Sequence, residues 1–423
     1  MIDIKVVREN PGLFEKSYTR MKRPEVLEKF QDLLKKDAQL RSIKKELDDL
    51  RASRNILSQK INQLKKEGKS ADAILKQVRE LPEKIKEKEG EYACLEVGVK
   101  DLLNMLPNLL HEAVPYGKSA EDNVEIRKSG RKPKFDFPIK NHVELLEALG
   151  AVDFDASARS TGNGFYYLKG DFALLNHALI AFALDHMRKK GYMYIEPPLM
   201  LRSGILFAAI DKEAFEQSIY RVEGEDTCLI GTSEFSLLGM HADEIVTHLP
   251  KKYFSYTMCF RKEIGSHGIN EKGLWRTHQF NKVEQFVFCR KEDSWKYYEE
   301  MLRNTEEIFK ALELPYRVIE ICTGDLARWK ARSADVEVWR PTTNSYGEVA
   351  SLSNCTDYQA RNLNIRYEEN GEKHIVHTLN NTVIATSRAL VAIVEHYQQK
   401  DGSIRVPKVL SKYMGGKKVI RKQ

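Results

Sequence analysis

The chain has 423 residues, enough for two or three domains with a sizeable core, and its 68 basic against 61 acidic residues leave a formal charge of +7. An excess that mild permits a nucleic-acid partner without demanding one. No apolar run nears the ~20 residues of a membrane span, and the start "MIDIKVVRENPGLF" has no signal-peptide core with a cleavage site, so a cytoplasmic protein with no membrane partner is expected.

From Leu33 the apolar positions run Leu33, Leu40, Ile43, Leu47, Leu50, Leu57, Ile61 and Leu64, in sevens or alternating threes and fours, interrupted by Lys36 and Arg54. After the turn-like "KKEGKS" the pattern resumes as Ile74, Val78, Leu81, Ile85, Tyr92, Leu95, Val99, Leu102 and Leu106, with Lys88 in one seam position. Heptad spacing on both sides of a short turn predicts an antiparallel two-helix coiled coil. Each arm of about 40 residues would be roughly 60 Å long, and Pro82 and Gly90 should kink or loosen the second. Such a hairpin is expected to project from the body. Its first arm, residues 27–66, carries 11 Lys/Arg against 6 Asp/Glu. Charge alone leaves two readings open: a solvated coiled-coil surface or a sequence-tolerant grip on a phosphate backbone.

"PNLLHEAVPYGKSAEDN" and "KSGRKPKFDFP" lack periodicity and read as a linker. The expected layout is a helical hairpin over 1–115, a linker over 116–140 and a second domain over 141–423. In the last, "DFALLNHALIAFALDHMRKKGY" is a helix apolar nearly all round, closed by a basic turn and Gly191. It needs cover on every side, from the fold or a partner subunit. A strand, "YMYIEPPLM", ends at Pro197 and Pro198. Strands with antiparallel alternation then recur: "KYFSYTMCFRKE", "LWRTHQFNKVEQFVF", "DVEVWRP", "EVASLSN", "NIRYEE" and "HIVHTLNN". No Gly-rich phosphate loop follows an early strand, which argues against a Walker or dinucleotide fold. Cys94, Cys228, Cys259, Cys289, Cys322 and Cys355 form no CxxC pair, so free thiols are expected rather than disulfides or zinc. The fold class is α+β, a mainly antiparallel sheet flanked by helices.

The chemistry gathers on two of these strands. In "RTHQFNKVEQF" one face carries Arg276, His278, Phe280, Lys282 and Glu284, the other Thr277, Gln279, Asn281, Val283 and Gln285. A strand that only covered a core would make one face apolar. In "SYTMCFRKE", Arg261 and Glu263 alternate onto one face, and residues 264–274, rich in Gly and Ser, predict a long mobile hairpin loop. If the faces match, Arg261, Glu263, Arg276, Phe280 and Glu284 converge. Two guanidiniums suit a polyphosphate, Phe280 offers a flat face for a base, and the glutamates accept from amino or hydroxyl groups. "LNNTVIATSRALVAIVEHY" passes from strand to helix with Thr386 or Ser387 as the expected N-cap. Arg388 would then oppose the helix dipole in the first turn, so another use is expected, such as stacking on a nucleobase opposite Phe280.

These residues resemble a known family. "CFRKE" with "RTHQFNKVEQF" is similar to motif 2 of class II aminoacyl-tRNA synthetases, "TLNNTVIATSRALVAIVE" to motif 3, and the apolar helix with "EPPLM" to motif 1. "LIGTSE", "HQFNKVEQF" and "SNCTDYQARNLNIRY" resemble the seryl-tRNA synthetases of archaea and many bacteria, and the likeness spans almost the whole chain. The resemblance implies ATP-dependent ligation of L-serine to tRNA-Ser through a seryl-adenylate by a homodimer. It implies that Arg261 holds the α-phosphate and then the adenylate, that Arg276 binds the outer phosphates, and that Phe280 and Arg388 sandwich adenine with Glu263 at its amine. Lys262, Thr277, Val349 and Ala350 would complete the ATP site. Glu348 and Ser351 would hold a magnesium ion bridging phosphates, and zinc is not implied. Thr232, Ser233 and Glu234 would take the serine amino group, Arg261 would stay close to the serine, and Glu284, Asn380 and Thr382 would surround its hydroxyl. The hairpin, through residues such as Lys44, Lys45, Arg51 and Arg54, would grip the long variable arm of tRNA charged by the other subunit. Rejection of substrates lacking the hydroxyl by ~10⁴-fold or more would follow from its buried partners. The chain departs from the family's usual pattern at Gly347 (usually basic), Ala327 (usually Gly), Ala334 (usually Tyr) and Thr382 (commonly Ser). The first three bear on ATP affinity and rate. Two other readings stay open: a tRNA-binding paralogue with a degenerate site, and a carrier-protein ligase, which usually lacks the hairpin.

Overall fold

The computed structural model describes residues 1–263 and 272–422, in two compact units, Met1–Leu109 and Leu110–Gln423. The expected hairpin loop at 264–274 thus falls mostly outside the described residues.

In the first unit α1 (Ile4–Glu9) and α2 (Pro11–Met21) precede two long helices, α3 (Pro24–Lys66) and α4 (Asp72–Met105). Asp3 caps α1 by accepting from Lys5 N, and Asn10 caps α2 with Pro11 at its first position. Phe14, Tyr18 and Phe30 then cluster with ring centroids 5.4–6.1 Å apart, tying α2 to α3. The heptad seam forms as expected: Leu33, Leu47 and Ile61 of α3 and Ile85, Val99 and Leu102 of α4 are buried. Lys88, in its seam position, reaches Glu46 at 3.1 Å, and Arg51 reaches Glu89 at 2.7 Å. Pro82 and Gly90, where a kink or loosening is expected, both lie inside α4, which runs as one helix. One feature was not anticipated. Asp37 lies buried in α3, held by Arg8 at 2.6 Å and Arg41 at 3.1 Å, since a buried carboxylate needs charge partners.

The second unit is built on an eight-stranded sheet among the described residues. In chain order its parts are β1 (Val124–Ser129), α5 (Gly170–Lys189), β2 (Met193–Tyr194), α6 (Ser233–Gly239), β3 (Lys251–Phe260), β4 (Gln279–Cys289), α7 (Ser294–Ala311), β5 (Tyr316–Glu320), β6 (Arg332–Arg340), β7 (Ser345–Thr356), β8 (His377–Ala385) and α8 (Thr386–Tyr397). The strand order is β1-β5-β6-β7-β8-β4-β3-β2, antiparallel except for the β2–β3 pair. Edge strand β1 lies inside the segment read as a linker. It pairs on one side only and is mostly exposed, so it shows no alternation. The strand expected before Pro197 shrinks to Met193–Tyr194, and "NIRYEE" joins a separate hairpin, Arg366–Glu369 with Glu372–Ile375. The apolar helix α5 finds most of its cover within the unit, burying Phe172, Leu175, Leu179, Ala183 and Met187, but Leu174 stays 55% exposed.

A polar layer under the sheet fixes which residues face outward. Gln285 Nε2 and Asn381 Nδ2 donate to the Met301 carbonyl of α7 at 2.9 and 2.8 Å, Asn304 Nδ2 donates to Gln285 Oε1 at 3.0 Å, and Thr305 Oγ1 donates to the Thr382 carbonyl at 2.8 Å. With Gln285 and Asn381 bonded to α7, strand alternation turns Glu284 and Thr382 to the opposite face.

Candidate active site

On that opposite face lies an open cleft of about 420 Å³, within the usual range for small-ligand sites. The polar face read from sequence is real but only partly strand. The β3 ladder ends at Phe260 and the β4 ladder starts at Gln279, so Arg261–Glu263 and Arg276–His278 lie just beyond it. Arg261, Glu263, Arg276, Phe280, Lys282 and Glu284 do line the cleft, and Thr277 joins them. Arg261 Nε donates to the Gly231 carbonyl at 3.2 Å, and its guanidinium stands 5.3 Å from the Phe280 ring centroid. Arg276 sits 3.6 Å from the Glu263 carboxylate. His278 turns away from the cleft. Its Nδ1 lies 2.9 Å from both the Arg261 carbonyl oxygen and the Tyr220 hydroxyl, and its ring packs on Gly164, which has no room for a Cβ. It braces the backbone of Arg261 instead.

Two other expected site residues stand apart. Ser233 is the first residue of α6, fully buried and outside the cleft, while Thr232 caps the helix by accepting from Glu234 N. The Lys262 ammonium lies 5.5 Å from the Tyr220 ring centroid, also outside the cleft.

In the cleft wall Glu234 accepts from Gln359 Nε2 at 2.7 Å, and Thr378 Oγ1 donates to Gln359 Oε1 at 2.8 Å. Burial pushes the Glu234 carboxyl up to about 7; the Gln359 bond opposes this, Glu284 adds to it, and the Lys282 and Lys330 ammoniums oppose it. Glu284, 1% exposed, is held by Lys282 at 2.5 Å and accepts from Thr382 Oγ1 at 3.3 Å. Beside them Asn380 Nδ2 is buried with no hydrogen-bond partner among the described residues. Such a donor suits a ligand hydroxyl.

Glu348, Val349, Ala350 and Ser351 line the cleft from β7. Three residues apart on a regular strand, Glu348 and Ser351 would face opposite ways. A bulge between Val336↔Ala350 and Glu337↔Glu348 inserts Val349 as an extra residue and turns both inward. A carboxylate and a hydroxyl together are hard oxygen donors that fit magnesium. Among the described residues no cluster of three or more His, Cys, Asp or Glu could hold a metal alone, so a magnesium ion here would share its coordination with substrate phosphates. Asp335, opposite Ser351 in register, is pushed up to about 7 by burial and by Glu348.

Arg388 belongs to the first turn of α8, but the expected cap differs. Ala385 occupies that place with no side-chain bond, and Thr386 and Ser387 are already helical. Arg388 is held from outside its helix, 3.0 Å from the Glu348 carboxylate, donating to the Glu348 carbonyl at 2.9 Å and to the Trp275 carbonyl at 3.4 Å. Desolvation works against ionisation of Glu348, although its side chain is 45% exposed, but Arg388 together with Arg261 and Lys330 holds the carboxyl below the usual range.

The seryl-tRNA synthetase N-terminal domain model matches residues 1–110, and that of the class II tRNA synthetase core domain (G, H, P, S and T) matches residues 216–397. The chain is 45% identical to the serine–tRNA ligase of Methanoregula boonei over 99% of its own length and all of that protein's. It belongs to the seryl-tRNA synthetase family. Its structure is similar to that of seryl-tRNA synthetase from Pyrococcus horikoshii complexed with ATP, with a TM-score of 0.95, 42% identity and full coverage of both chains. It is also similar to the cytoplasmic serine–tRNA ligase of Naegleria fowleri in complex with AMP, with a TM-score of 0.91, 31% identity, and 100% and 99% of the two chains covered.

Sequence reasoning missed Trp275 and Lys330, which also line the cleft. Trp275 accounts for one departure from the family pattern. A Cβ on Gly347 would fall 2.5 Å from Trp275 Cζ2, so the indole occupies the space a side chain at 347 would need. The indole also stands 4.3 Å from the Arg340 guanidinium and 5.5 Å from that of Arg388. Gly347→Ala should therefore displace the indole, destabilise the fold by about 1–3 kcal/mol and raise the ATP KM by shifting Arg388. Denaturant unfolding and exchange kinetics check this. Trp275→Leu should relieve the clash in the double variant, giving a coupling energy rather than additive losses. Ala334 is fully buried opposite Leu352, away from the cleft. Nothing in the structure explains Ala327.

Proposed function

We infer that this chain ligates L-serine to tRNA-Ser with ATP, through a seryl-adenylate. The observation that carries the reading is one cleft that brings together three guanidiniums suited to phosphates (Arg261, Arg276, Arg388) and amine- and hydroxyl-type groups (Glu234, Glu284, Thr382). In this reading Glu234 takes the serine ammonium, while Glu284, Thr382 and Asn380 take its hydroxyl. Phe280 and Arg388 enclose adenine, and Glu263 accepts from its amine. The serine carboxylate attacks the α-phosphorus, the bond from that phosphorus to the oxygen bridging the β-phosphate breaks and pyrophosphate leaves, so no side-chain nucleophile is needed. Charge grows on the phosphoryl oxygens, and Arg261 and Arg276 stabilise it with preorganised forks. Magnesium, held by Glu348 and Ser351 with the ATP, would neutralise further phosphate charge. The hairpin holds tRNA through basic groups such as Lys44, Lys45 and Arg54, all exposed; Arg51 is exposed too but already engages Glu89. Serine-dependent ATP–pyrophosphate exchange followed by charging of tRNA-Ser tests the whole; no exchange at saturating substrates would sink it.

Glu234 adds a pH signature. Its carboxyl, raised from 4.5 to about 7 in the folded protein, favours the protonated fold. That contribution to stability is whole below about pH 4.5 and is lost as pH rises through about 7. Serine needs the opposite state, a carboxylate facing its ammonium. Serine affinity should then rise roughly tenfold per pH unit up to about 7 and flatten above. Calorimetric titration of serine between pH 5.5 and 8 reads this. An unchanged slope in Glu234→Gln would remove Glu234 from the serine site.

The chain is also expected to work as a cytoplasmic homodimer. Among the described residues no helix is long and apolar enough to cross a membrane. Met193, Tyr194, Leu199, Met200 and Leu174 leave large apolar side chains exposed on and after the apolar helix, a surface that closed two-fold pairing would cover. A monomeric mass at micromolar concentration with full activity would refute the dimer.

A further inference from the structure

Lys330 stands two residues before Arg332, where β6 starts, and it lines the same cleft as Glu234, Arg261, Glu348 and Ser351. Its ammonium has three donors to place. The contact it makes among the described residues is a long one, to Ser333 Oγ at 3.4 Å, and none of the ion pairs there includes it. Yet it is near enough to favour ionisation of Glu234, Asp335 and Glu348 together, although burial is the larger influence on each. A half-buried cation that lines the cleft without pairing to any of these carboxylates has donors left for a ligand. Lysine suits this role as a compact point charge that needs no fixed fork geometry.

The reaction supplies the missing partner. With the serine ammonium at Glu234 and the phosphates at Glu348, the serine carboxylate and the ATP α-phosphate must meet between them. Both are oxyanions, and both lie within reach of a cation that influences the two glutamates at once. We propose that Lys330 is a further substrate-binding residue whose ammonium takes an oxyanion of the reacting pair, the serine carboxylate or the ATP α-phosphate. The inference rests on the adenylation reading given above. It adds a cation to the cleft, supplied by the segment that enters β6 rather than by the β3–β4 pair.

The experiment compares ligands that differ only in the anion, on the full-length protein. L-serine is set against serinamide, and AMP against adenosine, by calorimetric titration of the parent, Lys330→Met, Lys330→Gln and Lys330→Arg, with thermal unfolding alongside. If Lys330 takes the carboxylate, the neutral variants bind serine about tenfold or more weakly, with serinamide unchanged. If it takes the phosphate, AMP weakens by that factor and adenosine does not. Lys330→Arg should recover most of either loss. A lysine that only balances the buried carboxylates would give another result: lower stability in the neutral variants with each anion and its neutral analogue affected alike, which overturns the proposal. Should Lys330→Met fail to fold, Lys330→Gln carries the comparison. Parent exchange activity separates the two levels. A parent without serine-dependent exchange defeats the adenylation reading, whereas an active parent whose neutral variants bind all four ligands normally defeats only the role of Lys330.

Discussion

Arg261→Ala should lower serine-dependent pyrophosphate exchange by about 10²–10³-fold or more, the loss expected when one preorganised donor to a charge-bearing transition state is removed. Arg261 is the cation best placed for this. It directly follows the last ladder residue of β3, its backbone N–H donates to the His278 carbonyl at 2.9 Å, and its side chain is aimed by the Gly231 carbonyl and the Phe280 ring. The fold should hardly notice. The side chain is half-exposed and gives up one bond to a backbone carbonyl, a change of about 1 kcal/mol. Arg261→Lys keeps the charge but loses the planar fork, so it should recover only part of the rate. Exchange assays with thermal unfolding alongside check all three statements. Normal exchange in Arg261→Ala would remove this residue from the mechanism.

What the sequence made legible follows from the periods it carries. The 3.5-residue spacing from Leu33 to Leu106 survives into α3 and α4 because nothing but the seam competes for those residues. The polar face of β4 was readable for the same reason: Phe280, Lys282 and Glu284 keep strict alternation and point into the cleft. Periodicity by itself failed where a period was interrupted. Glu348 and Ser351 were paired by the family resemblance alone, since they share a wall only through the bulge at Val349, and a one-residue insertion in a ladder leaves no mark on composition. Strand β1 was missed because a solvent-exposed edge has no apolar face to show. His278, in phase with Phe280, lies just before the ladder and so escapes its alternation. Lys330 and Trp275 come from irregular segments whose side chains no periodicity places. Asp37 looked like one more surface charge on a basic helix, and only the return of Arg8 from α1 shows why it can be buried.

Removing the first unit, Met1–Leu109, should leave serine activation near the parent level and cut charging of tRNA-Ser by about a hundredfold or more. The cut is placed at Leu109 because the units divide there. Excising the long hairpin alone would strip Phe30 from Phe14 and Tyr18 and leave two aromatic side chains of α2 exposed. Every residue lining the cleft lies at or beyond Ile210, so exchange has no chemical need of the first unit. Charging does, on the reading that the hairpin holds the tRNA. The contacts on that reading are spread over exposed cations of α3. Helical RNA is read mainly through backbone and shape. Single replacements at Lys44, Lys45 or Arg54 should therefore each do little, and replacing them together should do much. The tRNA term should also weaken steeply with salt, since each neutralised phosphate releases counterions, while exchange responds far less. Exchange and aminoacylation measured side by side at low and moderate salt separate the two activities. If the shortened protein charges tRNA-Ser as well as the parent, the basic surface of α3 is solvated coiled coil and nothing more.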